Sequence, residues 1–210
     1  MDTTSYTPHQ TFDCQNVVFT ATNEKGQEVV VKVKPVKQND LNRETLSEGI
    51  CYVDLQYRFL MHHYRWKIFP IKDPPFPSSY LFPLQQRRES FSTIQVLEFE
   101  YYKGGNLIEF VHKHTLTMEQ KKIIFVNILL GLDFIHSNHY VHCDIKPQNI
   151  LVKLMKLLSD KNAQGEDLQF DAVIADFGSM QKLPPGKKST PLGEYTKFDI
   201  SVTNVRLSFL

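Results

Sequence analysis

One stretch of the sequence, from His142 to Asn149, groups several polar residue types that can take part in catalysis or bind a cation. It reads H-C-D-I-K-P-Q-N, so Asp144, Lys146 and Asn149 place a carboxylate, a cation and a neutral amide oxygen within six residues. The apolar runs 149–152 and 172–175 predict a pair of short strands directly after it. Carboxylate and amide oxygens are the hard ligands that divalent cations prefer. The stretch therefore supplies a candidate base, a cation and a neutral oxygen ligand for a metal.

A second polar position follows the second predicted strand. Residues 176–178 read D-F-G, so Asp176 supplies a further hard carboxylate at the end of a buried strand. Gly178 permits a backbone turn that other residues resist. Between the two strands, residues 153–170 become charged and hydrophilic, which predicts a mobile surface insertion.

The composition excludes several classes of function. The 210 residues carry 24 Lys and Arg against 23 Asp and Glu, a net charge of +1. No basic field is available to attract nucleic acid or an anionic membrane. Three widely spaced cysteines form neither a C-x-x-C pair nor an even set, so a disulfide framework and a structural zinc site are not expected. With a polar N-terminus and no long apolar run, we expect a soluble cytoplasmic protein, with the nucleus left open.

The first half of the chain predicts a β-rich region. Residues 17–22 and 28–33 are rich in β-formers and flank turn residues, which favours a hairpin. Residues 39–61 carry an apolar stripe at helical spacing. Residues 69–90 contain five prolines and predict a long exposed excursion, in preference to a docking motif. Residues 93–101 return to strand character.

The second half begins with helices. Residues 106–114 predict a short helix, and Thr117 with Gln120 predicts a capping box at the start of the next one. The apolar residues that follow, up to Ile135, surround that helix almost completely. We therefore expect it to be buried.

The pattern H-x-D-x-K-P-x-N, followed by a strand pair and D-F-G, resembles the eukaryotic protein kinase family. The Lys146-Pro147 form is similar to the Ser/Thr branch. The resemblance implies that Asp144 takes up the proton of the substrate hydroxyl and that Lys146 steadies the transferring phosphate of ATP. It also implies that Asn149 and Asp176 hold Mg²⁺.

The resemblance extends to the first half of the chain. Residues 29–32 read V-V-V-K and resemble the V-A-I-K strand, which makes Lys32 the cation for the α- and β-phosphates. The carboxylate that pairs with this lysine should lie on the following helix. Glu48 has about the spacing of the family, and Glu44 is the alternative.

Residues 98–107 resemble the hinge between the two kinase lobes and the Gly-Gly turn after it. The resemblance makes Phe99 the gatekeeper and directs the backbone of Glu100 and Tyr102 at adenine. Three apolar residues would sandwich the base, although we expect them to be buried under any interpretation: Val18, Val30 and Leu151. His142 and Phe177 would stack in the hydrophobic spine.

The sequence departs from the family in its phosphate loop. Thr11, Asp13 and Asn16 stand where the family has glycines, so backbone N–H groups cannot approach phosphates as closely. Asp13 would also add a like charge beside them. Val30 replaces the usual alanine and narrows the adenine slot. We expect weakened nucleotide affinity.

Two further departures lie downstream. Cys143 replaces the arginine that normally pairs with a phosphorylated activation loop, so control by such phosphorylation is not expected. No A-P-E motif follows Gly178, and residues 197–200 resemble the start of the central helix but arrive early. We therefore expect a truncated lobe whose exposed apolar surface is covered by a partner, a dimer or a rearranged tail. The alternative is a truncated gene product of marginal stability.

The predicted fold is α+β: a two-lobed kinase-like fold with a β-rich N-lobe at 1–101 and an incomplete helical C-lobe at 102–210. The predicted function is ATP- and Mg²⁺-dependent protein Ser/Thr kinase activity on a protein substrate. The alternative is a non-catalytic kinase-like module, a pseudokinase, that binds a regulatory protein partner. Neither alternative involves nucleic acid or a membrane.

Overall fold

A computed structural model describes residues 5–12, 17–36, 47–85, 91–155 and 168–183. The chain divides into two units, which we describe separately. Unit 1 consists of residues 1–53 with 62–101, and unit 2 consists of residues 54–61 with 102–210. Strands dominate the first unit and helices with short strands the second, so the predicted α+β fold is confirmed.

Unit 1 contains an antiparallel five-stranded sheet in the order β1-β2-β3-β5-β4. Its strands are β1 (Tyr6–Phe12), β2 (Val17–Asn23), β3 (Glu28–Val36), β4 (His63–Pro70) and β5 (Thr93–Glu100). The predicted hairpin is formed by β2 and β3. Asn23 closes its turn because its Oδ1 accepts from the N–H groups of Lys25 and Gln27, both at 3.0 Å.

A buried carboxylate ties the strands of this sheet together. Glu98 of β5 accepts from the Tyr6 hydroxyl at 2.6 Å, from Asn23 Nδ2 at 2.8 Å and from Arg65 Nε at 2.7 Å. These partners come from β1, β2 and β4. Burial, followed by the bond to Glu98, raises the pKa of Tyr6 far above its ordinary value, so its hydroxyl stays a donor.

One face of the sheet is covered by the proline-rich segment, which corrects the prediction of an exposed excursion. Phe76, Leu81 and Leu84 are buried in the core with apolar residues of the strands. The Phe76 ring meets Phe19 of β2 at 5.2 Å, edge to face. A 3₁₀ turn at Ser78–Leu81 leads into the short helix α2 (Phe82–Gln85). Prolines exclude long regular elements but not burial, and residues 86–90 lie outside the described part.

The helix predicted at 39–61 is shorter in the described residues. Helix α1 spans Ser47–Asp54, and residues 37–46 lie outside the described ranges. After Asp54 the segment, which belongs to unit 2, bonds to a distant strand end as well as locally: Met61 N–H donates to Ile174 O, Ile174 N–H to Phe59 O, and Leu60 N–H to Tyr57 O. Those tertiary bonds explain why the apolar stripe does not continue as a helix.

The described part of unit 2 contains two α-helices and two small antiparallel sheets. The helices are α3 (Leu107–Lys113) and α4 (Met118–Ser137); the strand pairs are β6 (Tyr140–Val141) with β9 (Gln181–Lys182), and β7 (Ile150–Leu154) with β8 (Phe170–Ile174). Arg58 forms a bidentate ion pair with Asp171 of β8: Nε donates to Oδ2 at 2.9 Å and Nη2 donates to Oδ1 at 3.0 Å. That contact fixes the segment 54–61 on this unit.

Helix α4 has the predicted capping box, in which Thr117 and Gln120 bond to each other's backbone N–H. The prediction that the helix is buried is only partly right. Ile124, Gly131 and Ile135 face the interior, but a set of large apolar side chains is exposed: Met118, Ile123, Phe125, Val126, Leu129 and Leu130. In the part of the chain that the structure describes, α4 packs chiefly against β8.

Several predictions fall on residues that the structure does not describe. They concern residues 156–167 of the predicted insertion and everything from residue 184 onward, including 197–200. No helix in the described ranges is long and apolar enough to cross a membrane.

Candidate functional site

In unit 1 the candidate site centres on the carboxylate of Glu48. Strand residues two apart share a face, so Lys32 and Lys34 of β3 both point toward α1. Lys32 Nζ lies 2.7 Å from Glu48 Oε1, and Lys34 Nζ lies 2.7 Å from Oε2. The Glu48 side chain is completely buried, with 0% of its surface exposed. The alternative carboxylate, Glu44, lies outside the described residues.

Two predicted adenine contacts share the sheet face of Lys32. Val18 of β2 lies opposite Lys32 in the strand register, and Val30 precedes it by two residues. Both valines are partly exposed, as is Leu151 on β7 of unit 2. The expectation that all three would be buried is therefore wrong. Apolar side chains left partly open within each unit are what a flat apolar ligand requires.

The predicted hinge residues lie on either side of the unit boundary. In unit 1, the N–H of Glu100 at the end of β5 donates to His62 O at 3.0 Å. The predicted gatekeeper, Phe99, is buried against Tyr52, with ring centroids 4.7 Å apart. In unit 2, the carbonyl of buried Tyr102 accepts from Gly105 N–H at 3.0 Å.

The turn after Tyr102 requires both of its glycines. Gly105 has a φ of +70°, where side chains are strained. A Cβ on Gly104 would lie 2.5 Å from the carbonyl oxygen of Val152, because Val152 N–H donates to Gly105 O. The turn is therefore held tightly against β7, next to Leu151.

In unit 2 the structure brings three predicted residues into direct contact. Lys146 Nζ lies 2.6 Å from Asp144 Oδ2. Asn149 Nδ2 donates to the same oxygen at 2.9 Å and to the backbone oxygen of Asp144 at 2.8 Å. Both N–H groups of the amide thus face Asp144, which leaves Oδ1 of Asn149 as the atom suited to a cation.

His142 fixes the backbone of this loop. Its Nε2 donates to Ala175 O at 3.0 Å, since a carbonyl oxygen can only accept, and its Nδ1 accepts from Asp144 N–H at 3.3 Å. Burial lowers the pKa of His142 below its ordinary value, so the ring is neutral near pH 7. The neutral tautomer is the form that this pair of bonds requires.

Asp176 follows β8 and adjoins the same loop. Ala175 N–H donates to Asn149 O at 2.8 Å, which places the two predicted metal ligands on bonded segments. Asp176 has a φ of +63°, a left-handed conformation that re-aims the chain before the 3₁₀ turn Phe177–Ser179. Phe177 is buried and meets His142 edge to face at 5.8 Å, as the resemblance implies.

The residues present fit ATP and a divalent cation. Asn149 offers an amide oxygen and Asp176 a carboxylate, which are hard donors suited to Mg²⁺. No group of three or more His, Cys, Asp or Glu that could hold a metal occurs in the described ranges. The Lys32 side of unit 1 supplies the cationic and apolar groups that a nucleotide requires.

The departures noted in the sequence are only partly visible. Thr11 is an exposed residue of β1, whereas Asp13 and Asn16 lie outside the described residues. Cys143 has a φ of +64°, and its thiol contacts Val141 O at 3.5 Å. Burial raises the pKa of that thiol, which keeps it protonated.

Lys34 is the site residue that the sequence reasoning missed. The strand period of two was the available signal, because it places residue 34 on the face of residue 32. From sequence alone, a second lysine on a strand is interpreted as a solvent-exposed charge. Its ion pair becomes evident only when the position of Glu48 is known.

The chain matches a family model described as the protein kinase domain over residues 15–203. The DNA damage response protein kinase DUN1 of Saccharomyces cerevisiae is 29% identical to it over 173 residues, which cover 77% of this chain and 30% of that protein. Serine/threonine-protein kinase MRCK alpha, from Mus musculus and from Rattus norvegicus, is 34% identical over 89 residues. That match covers 41% of this chain and 4% of each relative. The chain thus spans less than a third of the length of these relatives.

Proposed function

Because this chain belongs to the protein kinase family, we propose that it is an active protein Ser/Thr kinase that uses ATP and Mg²⁺. The contact between Asp144, Lys146 and Asn149 carries the proposal. It retains a base, a cation and a metal ligand in one hydrogen-bonded group. A chain freed from catalysis has no physical need for all three.

The base of the proposed reaction is Asp144. Its Oδ2 is held by Lys146 and Asn149, which fixes the carboxylate and leaves Oδ1 to accept the proton of a serine or threonine hydroxyl. When bound, MgATP supplies the phosphoryl group that this hydroxyl receives. Lys146 lies beside the carboxylate and is placed to steady the negative charge of the transferring group.

The remaining proposed roles belong to groups that bind and orient. In unit 2, Asn149 and Asp176 would hold Mg²⁺ through oxygen atoms. In unit 1, Lys32 would hold phosphate oxygens, with Glu48 fixing its ammonium group. The apolar groups for the base would be Val18 and Val30 of unit 1 and Leu151 of unit 2. The backbone of Glu100 and Tyr102 would face its polar edge.

The proposal is tested with radiolabelled ATP and Mg²⁺ on the purified chain, with casein as a general acceptor and autophosphorylation measured in parallel. We expect transfer that falls by at least about a hundredfold in Asp144→Asn, because the base is then lost while its shape is kept. Circular dichroism shows that both proteins are folded. Transfer no higher than that of Asp144→Asn would overturn the proposal.

A second candidate is a non-catalytic module that binds a regulatory protein, favoured by Val30 in the position of a small residue and by the exposed apolar side chains of α4. The two candidates differ in nucleotide binding. An active kinase should gain thermal stability with MgATP, and the gain should vanish in Asp176→Ala. No gain in the unsubstituted chain would favour the module. Under both candidates the chain binds a protein, either a substrate or a regulatory partner. We propose that the chain acts in the cytoplasm or the nucleus.

A further inference from the structure

The buried carboxylate of Glu48 is shared by two ammonium groups. Lys32 holds Oε1 and Lys34 holds Oε2, each at 2.7 Å. A buried carboxylate needs one cation to balance its charge. Lys34 therefore places a second positive charge beside Glu48, on the sheet face that also bears Val18 and Val30.

The register of the sheet keeps both lysines in place. Lys32 lies opposite Leu97 of β5, and Lys34 lies opposite Gln95. Both partners are completely buried. Of the two ammonium groups, Lys34 is the more exposed, with 27% of its side chain accessible against 11% for Lys32. The carboxylate thus lies between an inner and an outer cation.

The second cation changes what the first can do. If Glu48 had no bond from Lys34, its carboxylate would be held at Oε1 alone. With Oε2 held by Lys34, the carboxylate is held at both oxygens, and Oε1 stays directed at Lys32. The position of the Lys32 ammonium group relative to Glu48 is then fixed before an anion arrives.

We propose that Lys34 is a positioning residue that tunes Lys32 for the phosphate groups of ATP. The inference rests on the proposed function and adds a residue to it. The positive charge of Lys34 favours a polyphosphate over an uncharged nucleoside. It also offsets in part the loss of the phosphate-loop glycines, whose positions are occupied by Thr11, Asp13 and Asn16.

The test compares Lys34→Met, Lys34→Gln and Lys34→Arg with the unsubstituted chain. The two neutral variants should weaken MgATP binding about tenfold, since one charge near the phosphates is lost. They should raise KM for ATP by the same factor and change kcat less than about threefold. Lys34→Arg keeps the charge and should stay within about threefold of the unsubstituted chain in both quantities.

Adenosine separates this role from a purely structural one. By the proposed function adenosine would contact the apolar groups, but it has no phosphate. Its dissociation constant, measured by competition, should therefore not change in Lys34→Met or Lys34→Gln. The exposed Lys72, on the turn after β4, supplies the matched control: Lys72→Met removes the same charge and should leave every constant unchanged. Thermal unfolding by circular dichroism identifies any variant that does not fold, and Lys34→Gln then replaces Lys34→Met.

Each outcome decides the inference. Equal losses for adenosine and MgATP would overturn it in favour of a structural role. Unchanged MgATP binding in both neutral variants, with binding lost in Lys32→Met, would overturn it and leave the proposed kinase activity standing. A folded, unsubstituted chain that neither binds MgATP nor transfers phosphate would overturn the proposed function and this inference with it.

Discussion

One buried histidine in unit 1, His63, makes the stability of the chain depend on pH. His63 is buried between aromatic rings, with Tyr52 stacked at 5.5 Å and Phe99 tilted at 5.5 Å. Its Nε2 has no hydrogen-bond partner among the described residues. Burial lowers the pKa of His63 from 6.5 to about 4. The folded chain therefore holds this ring neutral at pH values where the unfolded chain protonates it.

The sign of the pH dependence follows from that difference. Above pH 6.5 both states are neutral and the full stability is present; as the pH falls toward 4 the unfolded state binds the extra proton. We expect the free energy of unfolding to drop by up to about 3 kcal/mol over this range. Urea unfolding at several pH values measures the drop. His63→Phe keeps the ring contacts without the titration, and an unchanged slope in that variant would contradict the prediction.

At the scale of elements, the glycine turn after Tyr102 packs closely against β7. A Cβ at Gly104 would meet the oxygen and the Cβ of Val152 at 2.5 and 2.8 Å, so the turn must move away from the strand. We expect Gly104→Ala to destabilise the chain by about 1–3 kcal/mol and to weaken nucleotide binding next to Leu151. Thermal or urea unfolding, with MgATP titration, checks both effects.

Gly26 provides the comparison for that substitution. It has a φ of +72°, but nothing lies within 4 Å of an added Cβ. Gly26→Ala should therefore cost only the left-handed strain, about 1 kcal/mol, and leave nucleotide binding unchanged. Equal effects of the two substitutions on binding would show that close packing at Gly104 is not what matters.

Elements with local signals were predictable from the sequence, and those set by distant contacts were not. Strands β2 and β3 and the start of α4 follow from residue type, turn chemistry and the Thr117 capping box. The end of α1 depends on the bonds between Met61 and Ile174, which no local pattern reveals. Burial of the proline-rich segment depends on irregularly spaced side chains such as Leu81.

The candidate site shows the same division. Asp144, Lys146 and Asn149 are close in sequence, so their types and spacing were enough to single them out. Lys34 was not predicted as a site residue, because its partner, Glu48, lies on a different element. The partial exposure of Val18 could not be predicted from its apolar character. Strand periodicity shows which face of the sheet a residue lies on, but not how much of its side chain other residues cover.

At the scale of the whole chain, charge and exposed apolar surface act together. The net charge is +1 at pH 7 and the isoelectric point is near 7.7, so little repulsion separates copies at neutral pH. We expect self-association in light scattering to peak near pH 7.7 and to decrease by pH 9. Lys25→Glu combined with Lys72→Glu changes two exposed charges and should move the peak to lower pH. A peak that stays in place would show that charge does not govern association.

Residues 71–85 pack on the sheet of unit 1, and this packing limits where the chain tolerates an inserted sequence. From composition, the segment between β4 and β5 looks like the natural place for a fluorophore or an epitope. An insertion there would separate Phe76 from Leu81 and open the interior to solvent. The turn at Lys25, whose side chain is exposed and beside which Gly26 has open space, is the better site for a label.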